Sequence, residues 1–131
     1  MSTGTFTRQQ AGVTMTLQVE QQGQDILVTL VGGDVPHFGV VTTVGQDGVF
    51  THALPSRPGH VHQEGALTKR LAKQIAPVLA GNAIITAGMH VNEITKVQMQ
   101  AAFALTKALG DDLRHWLQAH PVAAVVEKFA K

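Results

Sequence analysis

The chain contains no cysteine and no tyrosine, and its 131 residues include only five phenylalanines and one tryptophan. Without cysteine, disulfides, thiolate metal ligands and cysteine nucleophiles are all excluded. Charged residues make up 15% of the chain and the formal net charge is +1, with no block of like charge. This balance argues against nucleic acid and anionic membranes as partners. Because no apolar run approaches the roughly 18 residues of a membrane span, and no signal-like segment opens the chain, a soluble cytoplasmic protein is expected.

The apolar fraction of 44% predicts one globular domain over residues 1–131, with a core at about 12–120. The first half has the periodicity of strands. Apolar residues alternate over 13–19, and 26–31 is a continuous apolar run typical of a strand buried on both faces. Segments 37–44 and 49–54 flank the turn sequence GQDG and predict a hairpin. Together these segments predict an antiparallel meander of four strands.

The second half has the periodicity of helices around a fifth strand at 82–91. The first helix carries a stripe comprising Leu67, Leu71, Ile75, Val78 and Leu79, and it is predicted to stop at Gly81. A second stripe runs from Ile94 to Ala108 and is predicted to end at Gly110, followed by a further turn or two and a short terminal helix after Pro121. This order predicts an α+β fold with helices covering one face of a mixed sheet.

Two histidines, a carboxylate and two glycines crowd the stretch RPGHVHQEG at 57–65. If the stretch is extended, His60 and His62 point to the same side, and with Glu64 they form a partial metal site. The alternative is a solvated loop, because H-x-H is a short signal and the full ligand set cannot be named from spacing. His37 or His90 would complete the site only if the fold brought them there.

The stretch GMHVNEITK at 88–96 predicts a strand that turns into a helix. A helix N-terminus with Asn92 as N-cap, Thr95 at N3 and Lys96 nearby would stabilise a phosphate or carboxylate. The simpler alternative is that Asn92 only caps the helix, since every helix start needs a partner for its free N–H groups. The chain contains no Walker loop, dinucleotide glycine fingerprint or serine nucleophile elbow.

Three stretches in this order, HFGVVTTV, GHVHQEGALTKRLAKQIAP and AIITAGMHVNEITKVQ, resemble the prenylated-flavin chaperone family, the small D subunits associated with gallate-type decarboxylases. The resemblance covers roughly residues 12–110. That family shows a strand-end motif close to G-I-H-x-D-N-A-T. In this chain Asn92 replaces its acidic residue and Glu93 its asparagine, which puts in doubt any role that needs a carboxylate at that place.

The resemblance implies a fold similar to that of proteasome-assembly chaperones and a flavin cofactor, prenylated FMN or FMN. It implies that the cofactor is bound by His37, Gly39, His60, His62, His90, Asn92, Thr95 and Lys96, with no catalytic and no metal-ligating residue assigned. The histidines suit the polar edge of the ring or the ribityl hydroxyls. The backbone near Asn92, with Lys96, suits the phosphate. The expected partners are a prenylated-flavin-dependent decarboxylase and a flavin prenyltransferase.

A homodimer with the pocket at or near the subunit interface is also expected, because similar folds pair and pockets often lie at interfaces. Two other functions remain open at this stage. One is a metal-dependent enzyme using His60, His62 and a third ligand such as His37, His90 or Glu64. The other is an assembly chaperone that binds only protein and in which these histidines are dispensable.

Overall fold

The computed structural model describes residues 2–56, 59 and 62–131, and His60 therefore lies outside the described residues. Within them, six strands and two α-helices occur in the order β1 (Thr3–Gln10), β2 (Val13–Gln22), β3 (Asp25–Gly33), β4 (Val40–Gly45), β5 (Gly48–Ala53), α1 (Gly65–Ile75), β6 (Ala83–His90) and α2 (Lys96–Ala119). A 3₁₀ turn at Ala76–Val78 follows α1. Both helices pack against the sheet and against each other, which confirms the predicted α+β class.

The six strands form one mixed sheet in the order β1-β2-β3-β6-β4-β5. β6 lies between β3 and β4, parallel to β3 and antiparallel to β4. The continuous meander predicted for the first half is therefore interrupted between its second and third strands. The predicted hairpin is present, with Gly45 paired with Gly48. The interruption has a topological reason: the chain crosses over through α1 before β6 enters the sheet, so β6 can lie parallel to β3.

An additional strand, β1, was not predicted. It pairs with β2 along its whole length and forms one edge of the sheet. The connecting residues Ala11 and Gly12 have φ angles of 52° and 75°, as a tight hairpin of this twist requires. The polar sequence TGTFTRQQ lacks the buried alternation that marks the next strand, because an edge strand buries little.

The core lies between the sheet and the two helices, and it includes Leu17, Leu30, Ile85, Leu71 and Leu109, all fully buried. The prediction that 26–31 is buried on both faces is wrong. Ile26, Val28 and Leu30 face the helices, whereas the alternate residue Leu27 is 38% exposed.

The sheet face turned away from the helices, called the open face below, carries a row of exposed side chains, of which Leu27, Ile84 and Phe50 are apolar and Thr43 is polar. Leu27 pairs with Ile84, Ile84 with Thr43, and Thr43 with Phe50, so the row crosses four adjacent strands. Ile84 is 46% and Phe50 62% exposed. Leu27, Ile84 and Phe50 make this surface largely apolar, and the described helices leave it uncovered.

The first predicted helix is present, with Leu67, Leu71 and Ile75 buried, but the predicted stop at Gly81 is wrong, because α1 ends at Ile75 and a 3₁₀ turn follows. The second is longer than predicted, because α2 continues through Gly110 to Ala119. Gly110 is buried where the two helices touch, and a Cβ there would overlap the side-chain amide of Gln74. The glycine thus permits close helix packing and does not end the helix. Residues 121–131 have no regular secondary structure, so the predicted terminal helix is wrong. No helix in the described part of the chain is both long and apolar enough to cross a membrane.

An ion pair connects the edge strand to α2. Arg8 donates from Nε to Oδ2 of Asp112 at 2.7 Å and from Nη2 to Oδ1 at 2.8 Å. The hydrogen bonds from Arg8 hold the pKa of the Asp112 carboxyl below its usual value, and the carboxylate raises the pKa of the guanidinium. This bidentate ion pair joins β1 to α2.

Candidate functional site

Three segments separated in sequence meet at one end of the sheet. The first is the loop 34–39 between β3 and β4, the second is 62–64 ahead of α1, and the third is the end of β6 with the turn that follows it. The parallel pairing of β3 with β6 brings Gly33 beside His90, so the two strands end at the same end of the sheet. Loops at such an end are held by the sheet and are well placed to bind a ligand.

His37 is held by both its backbone and its ring. Its Nδ1 lies 2.9 Å from the carbonyl oxygen of Val35, and its Nε2 lies 3.1 Å from Oε1 of Glu64. The backbone of His37 crosses directly over Gly88 of β6, where a Cβ would overlap the His37 carbonyl. The histidine can occupy this position because residue 88 has no side chain.

Gly39 lies directly behind the histidines. Its N–H donates to the Ala87 carbonyl at 2.9 Å, which joins the loop to β6. A Cβ at this position would lie 2.7 Å from Oε2 of Glu64 and 3.0 Å from Cγ of His62. Gly39 was predicted to bind the cofactor, and in the structure it makes room for the side chains that line the cavity.

His62 and Glu64 complete the group that we call the histidine–glutamate cluster, which consists of His37, His62 and Glu64. The two imidazole rings lie 4.7 Å apart between centroids, and Nδ1 of His62 is 3.7 Å from Oε1 of Glu64. Glu64 is the N-cap residue of α1, but its side chain makes no capping hydrogen bond and turns instead toward the histidines. Its side chain is 10% exposed.

His90, the last residue of β6, and Asn92, in the turn that follows, lie at the same end of the sheet as the cluster. Nε2 of His90 is 3.0 Å from Oδ1 of Asn92, and the Asn92 N–H donates to the Asp34 carboxylate at 2.8 Å. The Asp34 N–H in turn donates to the His90 carbonyl. These contacts tie the turn after β6 to the loop after β3.

The prediction that Asn92 caps the second helix is wrong. Thr95 is the N-cap of α2, and its hydroxyl accepts from the Gln98 N–H at 3.1 Å while the Gln98 side chain accepts from the Thr95 N–H. This reciprocal arrangement is a capping box. Lys96 is the first helical residue and is exposed. The predicted helix start is therefore displaced by three residues, because the stretch between carries a left-handed residue, Glu93, with φ of 52°.

A cavity of about 310 Å³ opens between these segments. It is lined by Val35, His37, Ser56, His62, Glu64, Met89 and His90. Three of the predicted residues, His37, His62 and His90, thus share one cavity. Thr95, Lys96 and Asn92 are not among its described lining residues. Asn92 is next to the cavity, because its side chain contacts His90, which lines it.

A larger groove of about 1180 Å³ lies at the opposite end of the strands. It is bordered by the turns at 22–25, 43–48 and 79–84 and by Val125 and Glu127 of the tail. None of its described lining residues is a histidine. Its size therefore does not make it the better candidate, because a specific site needs convergent polar groups as well as space.

The family model described as the prenylated flavin chaperone LpdD-like domain matches residues 9–118. The chain is also 45% identical over 121 residues to Protein LpdD of Lactiplantibacillus plantarum (strain ATCC BAA-793 / NCIMB 8826 / WCFS1), covering 92% of this chain and 89% of that protein. The chain belongs to the LpdD-like prenylated flavin chaperone family. This membership confirms the family predicted from the three motifs.

The structure is also similar to a chain in the crystal structure of a chaperone complex for yeast 20S proteasome assembly. The TM-score is 0.47 and the identity 12%, covering 89% of this chain and 98% of the yeast one. A likeness at this level carries no functional inference.

Membership in the family gives a physical meaning to the two departures from its strand-end motif. Glu93 stands where the motif has asparagine, and this is the residue with left-handed backbone, a conformation that asparagine adopts more readily than glutamate. Asn92 stands where the motif has an acidic residue, and its side-chain oxygen contacts His90 as a carboxylate oxygen could.

The sequence offers Glu64 only as a metal ligand and does not place it among the predicted cofactor residues, although Glu64 lies close to both cluster histidines in the structure. A signal for it was present in the sequence. An acidic residue just ahead of a glycine-started helix is either a cap or a residue aimed elsewhere. Which of the two applies depends on where His37 lies, and His37 is 27 residues away.

Proposed function

We propose that this chain binds prenylated FMN, or FMN, in the cavity of the histidine–glutamate cluster and acts as an accessory chaperone that delivers the cofactor. Membership in a chaperone family supports an accessory role. The observation that carries the proposal is the meeting of His37, His62 and His90, from three separate segments, around one cavity. In this role the chain serves a prenylated-flavin-dependent (de)carboxylase, receives cofactor from a flavin prenyltransferase and performs no turnover of its own.

The cavity suits the isoalloxazine part of the cofactor. Its volume of about 310 Å³ is at the lower end of small-molecule sites, so a molecule as large as a prenylated flavin would fill it with one part and extend beyond it with the rest. Val35 and Met89 supply apolar surface for a ring face, while the histidines and Ser56 supply polar atoms for its edge. An open cavity is also compatible with release, which a carrier requires.

We propose that the phosphate of the cofactor binds at the start of α2. The helix dipole favours an anion there, and Lys96 adds a positive charge at the first helical position. The Thr95 hydroxyl is used in the capping box, so the contribution of Thr95 is to organise the turn. Asn92 holds the preceding turn in place through His90 and Asp34.

We also propose that the chain forms a homodimer through the open face. Leu27, Ile84 and Phe50 lie in one row with Thr43 across four strands, and together they expose more apolar surface than a single exposed residue does. Dimerisation through this face would place the partner's sheet over Leu27, Ile84 and Phe50, which lie toward the end of the strands that carries the larger groove.

A charge reversal at Lys96 tests where the phosphate binds. Lys96→Glu is expected to weaken FMN binding by about 1 kcal/mol, roughly 5-fold, because it replaces an attraction to a bound dianion by a repulsion at an exposed, solvent-screened position. The same change leaves the empty protein equally stable or slightly more stable, since the dipole prefers an anion at the helix start. Lys107→Glu, an exposed charge reversal in the middle of the same helix, is the matched control. Equal flavin affinities in Lys96→Glu and wild type would place the phosphate elsewhere.

The cofactor itself is tested by purification after co-expression with a flavin prenyltransferase. The wild-type protein is expected to carry a flavin absorption spectrum and a prenylated flavin detectable by mass spectrometry. A His37→Ala/His90→Ala variant is expected to lose both signals, and His52→Ala, an exposed histidine of β5, should keep them. A colourless wild-type protein without flavin would reject cofactor binding and favour a chaperone that binds only protein.

A further inference from the structure

We propose that His37, His62 and Glu64 together bind one divalent transition-metal ion. Each residue offers one ligand atom, and the three atoms lie within 4.8 Å of one another. The two shorter separations, 3.1 Å and 3.7 Å, both end on Oε1 of Glu64. Ligand atoms bound at about 2.1 Å to a common ion lie roughly 3.0–3.4 Å apart, so small side-chain rotations would bring the set to coordinating distance.

The hydrogen bonds of His37 leave a place for a cation. The Val35 carbonyl can only accept, so the His37 Nδ1 at 2.9 Å must carry the proton. In a neutral imidazole the other nitrogen, Nε2, then has a lone pair, and it faces a carboxylate oxygen that also has only lone pairs. Two acceptors at 3.1 Å repel each other unless a positive charge lies near both. A backbone carbonyl on the far nitrogen is also the arrangement that orients metal-binding histidines.

Glu64 supplies an independent observation. Its side chain is nine-tenths buried, and its Oε2 is a buried oxygen with no hydrogen-bond partner among the described residues. Its other oxygen accepts a long hydrogen bond of 3.4 Å from the Met89 N–H and is the oxygen that lies 3.1 Å from Nε2 of His37. A buried carboxylate with an unsatisfied oxygen is costly unless a cation compensates it. The ion that separates His37 from Glu64 would provide that compensation.

The rigidity of the surroundings supports a metal site. Gly39 lies within contact distance of both Glu64 and His62, and any side chain at residue 39 would push them apart. The N–H of His62 donates to the Leu54 carbonyl, and the Glu64 carbonyl accepts the first hydrogen bonds of α1, from the N–H groups of Leu67 and Thr68. The ligands are thus fixed by a strand, a loop contact and a helix start, as a preorganised site requires.

The ligand set indicates the class of ion. Two imidazoles and one carboxylate suit Zn²⁺, Fe²⁺ or Mn²⁺, whereas Ca²⁺ and Mg²⁺ prefer oxygen ligands alone. Three protein ligands leave coordination positions open, and these would face the cavity beside Ser56 and His90. If the cofactor occupies the same cavity, its polar edge would meet the ion instead of the two imidazoles directly. The proposed metal site does not depend on whether the cofactor binds in this cavity, and the test of the metal site uses no flavin.

The test is metal binding by untagged protein that has been stripped with a chelator. In equilibrium dialysis against Zn²⁺ and, separately, Mn²⁺, the wild type is expected to bind one equivalent of at least one of the two ions. Glu64→Gln keeps the shape of the side chain and removes its charge, and His37→Ala removes one ligand. Both variants are expected to bind the ion at least about 100-fold more weakly, the upper end of what the loss of a mere supporting contact costs. His52→Ala, which removes an exposed histidine outside the cluster, is expected to bind as the wild type does.

A second measurement guards against variants that fail to fold. The added ion is expected to raise the melting temperature of the wild type and of His52→Ala, and to leave that of folded Glu64→Gln unchanged. Co²⁺ is expected to give visible absorption bands with the wild type that Glu64→Gln lacks. If the wild type binds no equivalent, a proton occupies the space between His37 and Glu64 and the proposal is wrong. Unchanged affinity in both Glu64→Gln and His37→Ala overturns it equally.

Discussion

At the scale of single residues, the site depends on two glycines that are not part of a tight turn. Gly39 and Gly88 have no positive φ angle, so neither is required for its backbone conformation. Each is required by space, because other atoms approach where a Cβ would be. Gly88 lies under the His37 backbone, and Gly39 lies behind His62 and Glu64. The absence of a side chain at Gly88 in β6 and at Gly39 in the loop ahead of β4 thus lets three functional side chains come together.

We expect Gly88→Ala to disrupt both the site and the fold. The new methyl group would overlap the His37 carbonyl, so the loop carrying His37 must move or β6 must shift. Overpacking of a buried position costs about 1–3 kcal/mol, and the free energy of unfolding should fall by at least that amount in urea denaturation. Binding of flavin or metal should weaken as well, because His37 loses its position.

Gly65→Ala is the control for Gly88→Ala. A Cβ at Gly65 would meet Thr51 at 3.5 Å and Val40 at 3.9 Å, which are ordinary contacts. It also replaces a glycine at the first position of α1 by a better helix former, so its stability should equal or exceed that of the wild type. A Gly88→Ala protein as stable as Gly65→Ala would show that the His37 loop is free to move.

The spacing of residues in the sequence identifies some site residues and not the role of others. The motif histidines His37, His62 and His90 could be selected from the sequence, and the structure places them around one cavity. The capping role of Asn92 could not be excluded, since Asn92 and Thr95 are both favoured N-caps and lie three residues apart. The choice between them depends on the left-handed Glu93, which nothing in the local sequence indicates.

At the scale of elements, the start of α2 provides a measurable distinction between these two residues. Thr95→Ala removes the hydroxyl that accepts from Gln98, and the free energy of unfolding should fall by about 1 kcal/mol. Thr95→Ser keeps the oxygen and should recover most of the loss. Asn92→Ala should cost less, because among the described residues the Asn92 side chain makes one hydrogen bond, to the exposed His90. A larger loss in Asn92→Ala than in Thr95→Ala would contradict the observed helix start.

The ion pair between β1 and α2 should make stability depend on pH in the acid range. Folding lowers the pKa of Asp112, so the contribution is present above the unfolded value of 3.8 and is lost as the pH falls through the lower folded pKa. Arg8 remains protonated throughout. Arg8→Gln should therefore be less stable than the wild type at about pH 7, and the two should converge in more acidic solution.

Urea denaturation of both proteins across that pH range checks this expectation. Arg114→Gln is the control, because Arg114 is exposed on the same helix and makes no ion pair within the described part of the chain. Added salt should reduce the difference for Arg8→Gln at neutral pH, since the pair is partly exposed. A difference that persists unchanged below the folded pKa would mean that Arg8 acts through packing of its aliphatic stem and not through its charge.

The elements predicted best are those with a buried face. Leu67, Leu71 and Ile75 on α1 and the alternation of β2 specify their faces directly. The polar edge strand β1 was missed because it buries almost nothing. The position of β6 between β3 and β4 could not be predicted, because strand order depends on pairings between residues about 60 positions apart, such as Val28 with Ile85.

At the scale of the whole molecule, the sheet separates two surfaces with different properties. One face is covered by α1 and α2, and the opposite one exposes Leu27, Ile84 and Phe50. The open face would be costly in water for an isolated monomer, because it keeps apolar surface hydrated. A second copy has the same apolar row to offer, and a two-fold axis would set the two rows against each other.

We therefore expect Ile84→Asp to convert a dimer into a monomer. Ile84 is at the middle of the row, between Leu27 and Thr43 in the strand pairing, so an aspartate there would bury two unpaired carboxylates, one from each copy. The substitution should not unfold the chain, since residue 84 is 46% exposed in the isolated protein. Sedimentation velocity should show a dimer for the wild type and a monomer for Ile84→Asp, with the same circular dichroism. Met99→Asp, which changes an equally exposed apolar residue on α2, should remain dimeric. A monomeric wild type, or an Ile84→Asp protein that stays dimeric, would show that this face does not pair two copies of the chain.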